Sequence, residues 1–124
     1  NTSMSSIYEQ LGGAPAIDAA VDNFYRRVLK DEELRPYFDD IDMDKQRAKQ
    51  GAFLTMVTGG PNAYTGRDMR TAHARLVERG IGDRHVDLVI KHLGDTLADL
   101  GVADDLIKQV AAVAESVRDD VLSR

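Results

Sequence analysis

Between Ile17 and Leu29 the residues Ile17, Ala20, Val21, Phe24, Tyr25, Val28 and Leu29 fall at offsets 0, 3, 4, 7, 8, 11 and 12. A strand would scatter these positions over both of its faces. A helix with 3.6 residues per turn gathers them into one stripe that must be covered by the rest of the chain. The same period returns in Val86, Val89, Ile90, Leu93, Leu97 and Leu100, and again in Leu106, Val110, Val113, Val117 and Val121. No segment shows the alternation of a half-buried strand, and no repeat or linker interrupts the pattern. The expected class is all-α, in one domain spanning residues 1–124.

Local signals divide the chain between these stripes. Ser6-Ile-Tyr-Glu9 has the spacing of a capping box and predicts a short first helix to about Leu11, ended by Gly12-Gly13. Pro15 suits the first turn of the helix that follows. Asp31 could cap a short turn holding Leu34, with Tyr37 and Phe38 starting a connection to Asp42, the next N-cap candidate. Gly59-Gly60-Pro61 stops the third long helix, and a loop runs to about Gly66. Asp83 opens the next helix and Gly101 closes it, while Asp104 is the expected cap of the last. Residues 1–5 are expected to form a flexible tail, in which Asn1–Ser3, ahead of Met4, read as a vector-derived remnant.

Composition removes several classes of function. With 124 residues, 43% of them hydrophobic, the chain can bury a core of its own. Sixteen Lys and Arg against 21 Asp and Glu give a net charge of −5, and the basic residues are scattered, which argues against nucleic acid or an anionic membrane as partner. The absence of Cys excludes disulfides, zinc-thiolate sites and iron–sulfur clusters. No apolar run reaches the ~20 residues of a membrane span, and no signal core is present, so a cytoplasmic location is expected.

Chemistry must therefore be sought among few residues. Gln46, Lys49, Gln50 and Phe53 stand at i, i+3, i+4 and i+7, on one face of a helix. His73 lies beyond the Gly-Gly break, with Met69, Leu76 and Val77 at −4, +3 and +4, so a helix places it within an apolar stripe. A histidine in such a stripe is commonly a core residue bonded to a carbonyl. The alternative is a metal ligand, and polar company favours it: Gln46 and Gln50 share a face with Phe53 and Val57, and Tyr25 lies inside its own apolar stripe. Buried amides without partners cost about 1–3 kcal/mol each. Haem iron accounts for the set, since a neutral imidazole binds one side and donors from Tyr25, Gln46 and Gln50 would hold a diatomic ligand on the other.

His85 and His92, seven residues apart, lack a third ligand and read as surface or boundary positions. The carboxylates Asp39, Asp40, Asp42 and Asp44 lack the spacing of a calcium loop and read as caps and solvated charges.

From Ile7 to Val113 the chain resembles the truncated haemoglobins, most closely those of group I. The markers stand in order: Gly12-Gly13, Phe24-Tyr25-Arg-Arg-Val28-Leu29, Phe38, Lys45-Gln46, Lys49-Gln50, Phe53-Leu54, Gly59-Gly60, Tyr64-Thr-Gly66, Met69 and Ala72-His73. The resemblance implies a globin-like two-over-two helical sandwich holding haem b. It makes His73 the proximal iron ligand and Tyr25, Gln46 and Gln50 the distal network. Phe38 and Phe53 would pack on the haem, with Leu54, Leu76, Val86, Ile90 and Leu93 as further wall residues or as ordinary core. Lys45, Arg67 and Tyr64 would meet the propionates, unless they form only a solvated rim.

Two departures from relatives matter. Some cyanobacterial relatives join a late histidine to a haem vinyl group, but no histidine follows His92 here, so noncovalent haem is expected. Some relatives place a sixth-ligand histidine where this chain has Lys49. Lysine ligates only after losing its proton, and the favoured reading is that Lys49 reaches solvent or a propionate, leaving an open or weakly closed distal site. The implied activity is reversible binding of O2, NO or CO by a monomer, with nitric oxide dioxygenation if a separate reductase supplies electrons. A gas carrier or sensor without turnover, and a haem-free helical interaction module, are the competing readings.

Overall fold

The computed structural model of the chain describes residues 6–38, 42–61 and 66–124. Its first helix, α1 (Ile7–Leu11), begins where the Ser6 hydroxyl accepts the Glu9 N–H at 3.1 Å and Glu9 Oε1 accepts the Ser6 N–H at 3.3 Å. Gly12 ends it with φ 113°, a left-handed conformation that an L side chain would strain. Helix α2 (Ala14–Lys30) then buries Ile17, Ala20, Val21, Phe24, Tyr25 and Val28, while Leu29 stays half-buried. Asp31 is the C-cap of α2, and its carboxylate also accepts the Glu33 N–H at 2.9 Å, which turns the chain into a short 3-10 helix over Arg35–Tyr37. Pro36 lies inside that turn instead of preceding a connection.

Helix α3 (Met43–Val57) starts at Asp42, whose side chain accepts the Lys45 N–H at 3.0 Å. Helix α4 (Gly66–Glu78) carries His73, and α5 (Asp83–Asp99) follows after Gly82. Among the described residues there are seven α-helices and no strand, and no helix is long and apolar enough to cross a membrane.

The frame is two helix pairs. Helix α2 packs on α3, α5 packs on α6 (Asp104–Ser116), and α2 meets α5 across the middle. Phe24, Val28, Leu54, Leu93, Leu97 and Val110 fill the space between them. This is the two-over-two sandwich. Helix α1 closes one end: the Tyr8 N–H reaches the Thr58 carbonyl at 2.8 Å, and a Cβ on Gly60 would lie 2.5 Å from the Tyr8 ring. Only glycine permits that approach.

Two expectations at the chain's end are corrected. Asp104 is the first residue inside α6; Ala103 is the N-cap and makes no side-chain cap bond. The last stripe is not one helix, because Val117 (φ −104°, ψ 5°) interrupts it and a separate α7 (Arg118–Val121) follows. Val113, included in that stripe by its spacing, is 39% exposed, since the buried seam of α6 runs through Val110 and Ala114.

Candidate functional site

A cavity of about 760 Å³ is lined mainly by α3 and α4, with residues of α2, α5, α6 and α7 completing its walls. That volume suits a cofactor-sized ligand. The capped start of α3 fixes the turn-by-turn placement of Gln46, Lys49, Gln50 and Phe53, all four of which line the cavity. Gln46 and Gln50 are buried, 8% and 5% exposed, although neither is apolar. Both the Oε1 and the Nε2 of Gln50 are sealed from solvent and have no hydrogen-bond partner among the described residues. Unsatisfied buried amides are rare and cost about 1–3 kcal/mol, so an outside partner, a ligand or an ordered water, would be stabilising here.

His73 lines the cavity from α4. Its Nδ1 lies 2.8 Å from the Met69 carbonyl one turn earlier, and a carbonyl only accepts, so Nδ1 carries the proton. Burial pushes the imidazole below its ordinary pKa, the Met69 bond opposes that, and the positive charge of Lys49 adds to the lowering. The ring is therefore neutral near pH 7, with the lone pair on Nε2. A neutral imidazole oriented through its second nitrogen suits a metal ligand. Protein groups alone do not assemble such a centre, since no cluster of three metal-binding side chains occurs among the described residues.

Phe38, Lys45, Leu76, Val86 and Ile90 also line the cavity. Leu54 and Leu93 do not: at 0% and 1% exposure they belong to the helical core. Tyr25 is 4% exposed on α2 beside Phe24, which is a lining residue, but Tyr25 itself is not. Arg67 is exposed and outside the lining, and Tyr64 falls outside the described residues. Lys49 is exposed while facing the cavity.

Several wall residues escaped sequence reasoning. Tyr37 and His85 meet edge to face at 5.1 Å, and the Arg79 guanidinium lies 5.1 Å from the Tyr37 ring centre while donating to the Pro36 carbonyl at 2.7 Å. His85 is thus a half-buried boundary residue that lines the cavity; its Nδ1 accepts the Gly82 N–H at 3.0 Å. His92 is not free either, since its Nε2 meets Asp31 at 2.7 Å with both side chains mostly buried. Only their place on α5 relative to other helices reveals these roles. Charge marks the rim as well. Lys45, Lys49, Arg75 and Arg79 line the cavity without a carboxylate partner among the described residues.

Residues 6–123 match the family model described as bacterial-like globin. The group 1 truncated hemoglobin GlbN of Synechocystis sp. PCC 6803 is 54% identical over 112 residues, covering 90% of each chain. The group 1 truncated hemoglobin of Tetrahymena pyriformis is 44% identical over 119 residues, covering 96% of each. Among solved structures, the 2/2 hemoglobin of Synechococcus sp. PCC 7002, in the cyanomet state with covalently attached heme, superimposes with a TM-score of 0.87 at 44% identity, over 97% of this chain and 100% of that one. The chain belongs to the bacterial-like globins and, within them, to the group 1 truncated haemoglobins, proteins whose haem iron binds diatomic ligands.

Proposed function

We propose that this globin holds haem b noncovalently between α3 and α4, with His73 Nε2 on the iron and with Gln46, Gln50 and Tyr25 as donors to a diatomic ligand on the other side. The observation that carries this reading is the Gln50 amide of a cavity-lining residue, buried with neither of its polar atoms satisfied among the described residues. When bound, the haem supplies reversible binding of O2, NO or CO and, with electrons from a separate reductase, conversion of nitric oxide to nitrate. The chain's own residues do the rest. Met69 holds the His73 tautomer, Phe38 and Phe53 offer flat apolar surface, and the cations lining the cavity suit the two haem carboxylates. Lys49 is exposed, which supports an open sixth position over lysine ligation. No histidine follows His92, which supports a haem released by acid-acetone.

Reconstitution with hemin tests the reading. An intense Soret band is expected, shifted on reduction and again with CO, and lost in His73→Ala; a wild-type protein without such a band would leave only a haem-free module. Repeated reductant-driven cycles with nitric oxide should yield nitrate in excess of protein. Conversion that halts after one equivalent would instead mark a carrier or sensor.

A further inference from the structure

Val117 and Val121 line the cavity, yet they belong to a segment with little packing of its own. Helix α7 has four residues and buries none of them, and Leu122 is the one buried side chain between 117 and 124. A single turn of helix does not persist unaided in water. What holds it is charge. Arg118, between the two valines, is only 14% exposed and uses all three of its guanidinium nitrogens. Nη1 donates to the Asp83 carbonyl at 3.1 Å and to its carboxylate at 3.0 Å, Nη2 to Asp87 and to Glu115 at 2.6 Å, and Nε to Glu115 at 2.7 Å. Arg124 grips the same Asp83 carboxylate at 2.9 and 3.1 Å. From α4, the helix of His73, Arg70 reaches Asp120 at 2.9 Å and the Arg124 main-chain oxygen at 2.7 Å.

We propose that these contacts form an ionic clamp on one cavity wall, in which Arg118 is a positioning residue that sets how slowly the haem departs. The proposal rests on the haem reading above. The clamp ties α7 to the start of α5 and to α4, while the core between α2, α3, α5 and α6 lies elsewhere; opening it would expose Val117 and Val121 without dismantling the frame. Isolated exposed ion pairs contribute little, but one guanidinium shared by three carboxylates is a network.

The test follows transfer of hemin from the ferric holoprotein to excess apomyoglobin by absorbance. Arg118→Met should lose haem about tenfold faster in dilute buffer, as expected when one member of a hydrogen-bonded charge cluster is removed. Wild-type loss should accelerate between roughly 0.01 M and 1 M salt, over which screening shortens from about 30 Å to 3 Å, and the variant should lose part of that dependence, the rim cations keeping the rest. Asp87→Asn with Glu115→Gln, whose ion pairs are with Arg118 alone among the described residues, should reproduce the effect without adding to Arg118→Met. Lys108→Met, which breaks an exposed pair on α6, should leave the rate unchanged. An Arg118→Met rate within twofold of wild type overturns the clamp and leaves the haem reading intact, whereas a wild type that gives no Soret band with hemin overturns both. If Arg118→Met does not fold, Asp87→Asn with Glu115→Gln decides, and a rate within twofold of wild type overturns the clamp.

Discussion

Helices α2 and α3 lie against each other and bury opposite kinds of surface. On α2 the covered face is a stripe of Ile17, Ala20, Val21, Phe24 and Val28, each stabilised by leaving water. On α3 the covered residues alternate in character: Leu54 and Val57 join the core, but Gln46 and Gln50 are equally hidden and are polar. Helix α2 is arranged chiefly for stability, with Tyr25 as its one buried side chain that carries a polar group. Helix α3 gives up part of that stability to place amides on a cavity wall, and such departures from consistent patterning concentrate at functional sites.

This contrast can be broken by substitution. Leu54→Ala, on the core side of α3, should destabilise the apoprotein by about 2–5 kcal/mol, read from urea unfolding. Gln50→Leu should act in the reverse direction: it removes two unsatisfied polar atoms at similar volume and should stabilise the apoprotein by about 1–3 kcal/mol while speeding O2 escape from the holoprotein. An apoprotein weakened by Gln50→Leu would mean that the amide serves the fold, and the contrast between the two helices would vanish. Arg47→Met, which breaks the surface pair with Asp22 joining the same helices, should shift stability by less than about 0.5 kcal/mol in the same titration.

The same contrast explains what could be read in advance. α2 was legible because its burial follows one period, and α1 because Ser6 and Glu9 cap each other as their spacing implies. The inward face of α3 was legible from Gln46, Gln50 and Phe53 sharing one side, a pattern that chemistry explained better than packing. His85 was not legible, because its role depends on Tyr37 reaching it from the far side of a turn. Nor was the break at Val117: apolar spacing continues through it, while Arg118 is held by Glu115 nearby and by Asp83 and Asp87 at the start of α5, distant in sequence. Leu54 and Leu93 show the converse limit, since helical spacing alone cannot tell a cavity wall from the core.

The bond from His73 Nδ1 to the Met69 carbonyl has an electronic consequence. A carboxylate acceptor would draw the proton towards itself and give the ring imidazolate character, making it a strong electron donor to iron and favouring cleavage of a bound O–O bond. A carbonyl acceptor on the same helix draws much less, so the ring remains a modest donor. Because donor and acceptor are one turn apart on α4, the orientation of the imidazole plane is set by the helix itself. With iron on Nε2 as proposed, the ring would donate to it as an ordinary neutral imidazole.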